Sequence, residues 1–343
     1  YEGEEQMRGK NYNLELVRMI SFLFVIVIHI TNFYCRSFRQ ITLPDYTFSL
    51  LLDAAARVSV PCFFMISGAL LLGREEPLEK HAKRLLRFLT ALVVWSLLYY
   101  IWNIFYDGRD YDLRQIWYVP TKAHLWYLYA MIPIYLVLPF FQILCRNMTM
   151  KLEKAFVILI SAAVLINYFA GVAGGQLYYD IPIVGDRVYF FYVLIGYYLF
   201  KYRKHIRVSQ TMAVLISIIS LLITFGSSMW FTLSGNAHSD KMLAYSTPFM
   251  ILTSVFFFLF MIRLSGSKYT PSEKARRVID AFGKASFGIY LIHIFFLDIY
   301  RKFVPVTALP AWVAVPVLTV VIAGLSFGCI WLLHRFKWGR VIS

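Results

Sequence analysis

A histidine in the middle of an apolar run is the first residue whose placement invites chemistry. His29 follows Val25, Ile26, Val27 and Ile28, and a titratable side chain in hydrocarbon is costly unless it faces a cavity or a partner. Arg18 lies eleven residues earlier. At about 100° and 1.5 Å per residue the two share a helix face, within roughly 20° of each other and about 16 Å apart along the axis. Such a pair can hold an anionic group near the cytoplasmic mouth and perform chemistry deeper in. A packed histidine beside an arginine that snorkels to the interface would leave the same trace.

Other costly residues recur along the chain. Arg57 is placed well inside a second apolar run, one turn from Asp53, so the two can pair and neutralise one another. The stretch after it, Ser59-Val60-Pro61-Cys62-Phe63-Phe64-Met65-Ile66-Ser67-Gly68, joins a proline kink to small polar residues. Such a break is tolerated where protein covers the backbone or a cavity adjoins it. Ser286, Tyr290 and His293 are spaced i, i+4, i+7 and share a face, suited to a catalytic or gating role or to plain core packing. Arg84 and Arg87, at i and i+3, can clamp a phosphate together. His124-Leu125-Trp126-Tyr127 reads first as an interfacial aromatic belt.

These residues need apolar helices to position them. Hydrophobic residues make up 59% of the chain and charged ones only 15%, against about a quarter charged in an ordinary soluble domain. The apolar surface exceeds what one aqueous core could hide, so the bilayer is the solvent. Runs long enough to cross about 30 Å of hydrocarbon are expected near 14–36, 47–73, 84–106, 124–145, 154–171, 187–202, 211–231, 243–263, 281–302 and 311–335. The segment 172–186 reads as partly re-entrant. The expected architecture is an all-α integral membrane protein of about ten transmembrane helices. Residues 1–12 form an N-terminal segment (1–6, acidic and ahead of Met7, read as a cloning remnant). Residues 13–336 form a single membrane domain, and 337–343 a tail. The first apolar run is long and reads as a retained helix rather than a cleaved signal.

The net charge of +15 belongs to loops on one side of the membrane, and no nucleic-acid partner is expected. Arg74, Lys80, Lys83, Arg84 and Arg87 lie in one such loop, and Lys201, Arg203, Lys204 and Arg207 in another. The opposite loops hold far fewer: Arg36, Arg39, Arg109, Arg114, Lys122, Arg187, Lys241, Arg301 and Lys302. The positive-inside rule then puts both termini in the cytoplasm, which requires an even number of crossings. The four cysteines are scattered without a CxxC pair or a histidine cluster, so neither a disulfide framework nor a metal site is indicated.

Taken together, these segments resemble the acyltransferase-3 family of bacterial membrane acyltransferases. The resemblance rests on the Arg18-x10-His29 spacing and on Arg57-Val-Ser-Val-Pro-Cys-Phe-Phe-Met-Ile-Ser-Gly68. Arg84-Leu-Leu-Arg87, His124-Leu-Trp126 and Ser-Phe-Gly-Ile-Tyr-Leu-Ile-His293 complete it. Within the family the chain is most similar to the subgroup that O-acetylates enterobacterial common antigen. The resemblance implies an acyl-CoA donor, usually acetyl-CoA, on the cytoplasmic side of a bacterial inner membrane. The implied acceptor is a hydroxyl of a cell-surface glycan or its lipid-linked precursor. On that footing Arg84, Arg87 and Arg18 hold the donor's phosphates, and His29 serves as general base or as the site of an acetyl-histidine intermediate. Arg57 stabilises the oxyanion, and His293 or Tyr290 orients the acceptor. Thr90 stands near where a proline often follows the arginine pair. The sequence carries neither the esterase-like nor the serine racemase domain of some relatives, so a stand-alone enzyme is expected. A transporter of a glycan precursor or small solute would also use broken helices and midplane charges, although no inverted repeat is apparent. A scaffold would leave His29 and Arg57 unexplained.

Overall fold

The computed structural model describes residues 11–108, 111–175, 188–264, 272–336 and 339–342. Most of the re-entrant segment expected at 172–186 lies outside them. Among the described residues every regular element is helical. Helix α1 is Tyr12–Arg36, α2 Leu43–Ala56, α3 Ser59–Leu71, α4 Leu78–Trp102, α5 Trp126–Asn147 and α6 Met150–Val172. Then follow α7 Tyr189–Tyr202, α8 Gln210–Gly235, α9 Pro248–Ile262, α10 Glu273–Phe303, α11 Ala311–Leu333 and the short α12 Gly339–Ile342.

Taking α2 and α3 as one crossing, nine described segments are long and apolar enough to span a membrane. The tenth expected span is α7, whose 14 residues rise only about 21 Å. Helix α8 shows which solvent surrounds the bundle. Its buried positions include Ser220, Thr224, Ser228 and Thr232, four residues apart, while Leu215, Ile219, Leu222 and Trp230 face outward. In water that amphipathicity would be inverted; in lipid it is the arrangement that lowers the free energy.

The second crossing breaks where its sequence said it would. Arg57 ends α2, and Pro61 falls in the first turn of α3, where a missing backbone N–H costs nothing. Helices α3 and α7 then touch backbone to backbone. A Cβ added at Gly68 would lie 1.7 Å from the Val193 carbonyl oxygen, and one at Gly196 would lie 2.2 Å from that of Met65. On the side expected to be cytoplasmic, Arg263 donates to the carbonyls of Arg203, Val208 and Ile206 at 2.6–2.7 Å, closing the loop that follows α7.

Two apolar clusters flank the middle of the bundle. One joins α3, α5, α7 and α9, and the other joins α1, α4, α10 and α11. Helix α10 is long at 31 residues. From Lys284 to Arg301 it rises about 25 Å, enough to furnish side chains to both halves of the membrane. At the chain's end, the Ile342 carbonyl accepts the Trp95 indole N–H at 2.8 Å, so the expected tail folds back onto α4.

Candidate active site

Three histidines from three segments meet between α1, α4 and α10. The ring centroids of His29 and His293 are 5.2 Å apart, those of His124 and His293 5.4 Å, and those of His29 and His124 6.3 Å. His29 and His293 are brought together because α1 packs along α10, with Phe22 stacked on Phe282 at 5.6 Å. His124 arrives on the short 3-10 turn Ala123–Leu125 before α5. It is held edge-on to the Tyr99 ring at 4.9 Å.

Hydrogen bonding fixes what two of the imidazoles can do. His293 Nδ1 is 2.7 Å from the Tyr290 carbonyl, which can only accept, so the proton sits on Nδ1 and Nε2 keeps its lone pair. His124 Nε2 faces the Leu291 carbonyl at 3.3 Å, which leaves its lone pair on Nδ1. Both lone-pair nitrogens are buried without a hydrogen-bond partner. His29 is partly exposed, and its backbone carbonyl accepts from Arg301. In their neutral form His293 and His124 therefore keep basic nitrogens unspent, the requirement for a general base.

A cavity opens on each side of this cluster. The outer one, about 740 Å³, is lined by His29 and His124 together with Asp298, Arg301, Lys122 and Lys302 among others. The inner one, about 390 Å³, is lined by Arg18, Arg84, Arg87, Lys284, Ser286 and Tyr290 among others. The two linings touch. Tyr290 faces the inner cavity and donates its hydroxyl to the backbone carbonyl of His124, which faces the outer one.

Among the described residues, four cations and no carboxylate line the inner cavity. Arg18 and Arg84 are steadied from behind. Arg18 Nη1 contacts both carboxylate oxygens of Glu15 at 2.8 Å, and Arg84 Nη2 reaches Glu76 at 2.8 Å. Arg84 Nη1 is buried without a partner, and Arg87 leans over Phe287 at 6.0 Å. Burial pushes the Glu76 carboxyl up, but the Arg84 hydrogen bond and the charges of Arg84 and Arg74 outweigh it, and the group is held below its ordinary range. A cavity lined by guanidinium and ammonium groups together with apolar side chains such as Phe63, Leu70 and Phe88 suits a polyanion with an uncharged arm.

The expected site residues divide accordingly. Arg18, Arg84, Arg87 and Tyr290 gather at the inner cavity, while His29 faces the outer one and His293 lies between. Arg57 lines neither. Its Nε bonds Asp53 at 3.1 Å and its Nη1 the Leu243 carbonyl at 3.3 Å, and fully buried Asp53 also accepts from Thr31 at 3.3 Å. In this geometry Arg57 locks the break between α2 and α3. His124 sits not in an interfacial belt but at the centre, only 2% exposed. Lys284 and Asp298 were not singled out by the sequence; each has one signal, a charge inside an apolar helix.

Comparison with known proteins bears on the same residues. A family model described as an acyltransferase domain matches residues 11–335. No curated protein and no solved structure matches the chain.

Proposed function

This chain belongs to the acyltransferase-3 family, and from that premise we propose that it moves an acetyl group from acetyl-CoA in the inner cavity to a sugar hydroxyl in the outer one. The observation that carries this reading is the meeting of a cationic inner cavity and a histidine-lined outer cavity at one tyrosine. A thioester donor brings phosphates for Arg18, Arg84, Arg87 and Lys284, and an arm slim enough to run between helices toward Tyr290. The acceptor is a surface glycan or its lipid-linked precursor, and the location a bacterial inner membrane, with bilayer lipid around the bundle.

His29 acts on the acceptor, because it lines the cavity where the hydroxyl would sit. Its imidazole takes the hydroxyl proton as the oxygen attacks the thioester carbonyl. The carbon–sulfur bond breaks, the ester bond forms, and the proton ends on the coenzyme A sulfur. His293 and His124 supply further neutral imidazoles beside the reacting groups, and Tyr290 swings or slides to join the cavities. Arg57 reaches the oxyanion only by leaving Asp53, so its first role here is to hold the hinge of the second crossing.

The test is transfer of labelled acetyl from acetyl-CoA in membranes that contain the host's glycans, comparing wild type with His29→Ala. Label should appear in a glycan or lipid-linked fraction with wild type alone. Equal labelling by a well-expressed His29→Ala protein removes His29 from the chemistry, and absence of coenzyme A binding removes the reading itself.

A further inference from the structure

The outer cavity breaks the rule that organises the rest of the molecule. Loops away from the cytoplasm should be poor in lysine and arginine, and the sequence places nine cations there. Four of those nine, Arg36, Lys122, Arg301 and Lys302, line this one cavity against a single carboxylate, Asp298, among the described residues. They come from the far ends of α1 and α10 and from the strand-free approach to α5, so no local sequence bias assembles them.

Among the described residues, one of the four is ion-paired to that carboxylate and three make no ion pair. Lys122 is satisfied by Asp298 at 2.9 Å and by the Asn103 side-chain oxygen at 3.0 Å. Arg36 donates to the amide oxygen of Asn32 at 2.7 Å. Lys302 rests on the Tyr106 carbonyl at 2.8 Å and over that residue's ring at 3.9 Å. Arg301 donates to the His29 carbonyl and lies over Phe33 at 5.2 Å, with its Nε buried and unpartnered. Thr121 adds a second buried donor without a partner on the same wall. A carbonyl or a ring face orients a cation without neutralising it; Arg301 is half-buried while Arg36 and Lys302 are exposed at the rim, and a half-buried cation so held is stabilised by an incoming anion.

We propose that the outer cavity takes an anionic acceptor, a hydroxylated molecule whose carboxylate or phosphate is held by Arg301, Lys302 and Arg36 while its hydroxyl meets His29. Because Arg301 touches the backbone of His29 itself, the charge and the reacting hydroxyl are fixed within one ligand. The cavity's 740 Å³ lies inside the usual size range of small-molecule sites, about 300–1,000 Å³, and accommodates a sugar with a charged substituent. This inference rests on the acyl-transfer reading for the word acceptor, but the anion site itself does not.

The experiment measures binding to purified protein in phosphatidylcholine nanodiscs, using methyl β-D-glucuronide, glucose 1-phosphate and neutral methyl β-D-glucoside. At least one anion should bind about ten-fold more tightly than the glucoside, the difference of one charge-assisted contact. Arg301→Gln and Lys302→Gln should each remove that preference and leave glucoside binding alone, Arg301→Lys should keep part of it, and Lys241→Gln, on another outer loop, should change nothing. Repeating the measurement with phosphatidylglycerol in the nanodiscs separates the sources. Competition by that lipid assigns the site to a lipid headgroup phosphate, and indifference to it assigns the site to the soluble anionic sugar. Equal binding of all three probes, or an equal loss from Lys241→Gln and Arg301→Gln, overturns the proposal. Coenzyme A binding is followed in the same samples: its absence sinks the acyl-transfer reading and leaves the anion site standing, so the two failures cannot be confused. Should Arg301→Gln fail to fold, Lys302→Gln and Arg36→Gln, at the cavity rim, decide the matter.

Discussion

At the scale of single residues, the useful property of the histidine cluster is that its lone pairs are unspent. His29→Ala removes an imidazole with no side-chain hydrogen bond among the described residues, so stability should barely change while turnover falls about 10²–10⁴-fold. Parallel measurement of melting temperature and acetyl transfer checks both halves. Glu76 behaves differently, because its carboxyl is held below its ordinary range by Arg84 and Arg74 against the opposing pull of burial. A depressed carboxyl contributes stability that is complete above its unfolded value, about 4.3, and is lost as pH falls through the folded one. Thermal unfolding followed against pH should therefore lose an acid-side step in Glu76→Gln. His29, Arg18 and the Tyr290–His293 face were legible in the sequence because a polar residue in an apolar run stands out by type alone. The bond from Arg57 to Leu243, 186 positions away, was not, since only the assembled bundle brings them together. His124 was read as part of a belt because its neighbours are aromatic; what buries it is the tight turn Ala123–Leu125 beneath Tyr99.

Among the elements, α3 and α7 meet most closely, and the reason is two glycines. Gly68→Ala would put a methyl group on the Val193 backbone, which no rotamer can relieve, so the helices must part. The expected cost is about 3 kcal/mol, the upper range for an overpacked core, seen as a lower melting temperature in detergent. Gly171→Ala, which meets nothing within 4 Å, is the matched control and should be neutral. Hydropathy marked the positions of the spans well, and the Ser59–Gly68 stretch announced the broken second crossing through its proline. Hydropathy could not show that Gly68 and Gly196 face one another, because their partnership is set by packing between distant segments rather than by period.

For the whole molecule, the charged loops predict an orientation, and the two cavities acquire their meaning from it. Cys35, Cys62 and Cys145 are buried and Cys329 is partly so, which makes sidedness simple to measure. In a Cys329→Ser background, a membrane-impermeant thiol reagent should label Lys302→Cys on intact cells and Lys83→Cys only after the membrane is opened. The reverse pattern would exchange donor and acceptor sides. The outer cations were counted in the sequence as topology alone, because their convergence depends on the ends of α1 and α10 and the turn before α5 meeting in space.

The contact between the linings of the two cavities also has an electrical consequence. In the proposed reaction a hydroxyl on the far side gives up a proton and a thiolate on the near side must gain one. Were that proton released outside and replaced from the cytoplasm, every turnover would carry one charge across the membrane, and the membrane potential would act on it at about 2.3 kcal/mol per 100 mV. His29 and His124 line the outer cavity and His293 lies beside Tyr290 of the inner one, with the imidazole centroids 5.2–6.3 Å apart, within reach of a bridging water. They let the proton follow the acyl exchange internally. The enzyme should then run electroneutrally, at the same rate in vesicles whose potential is clamped at zero or driven to either sign.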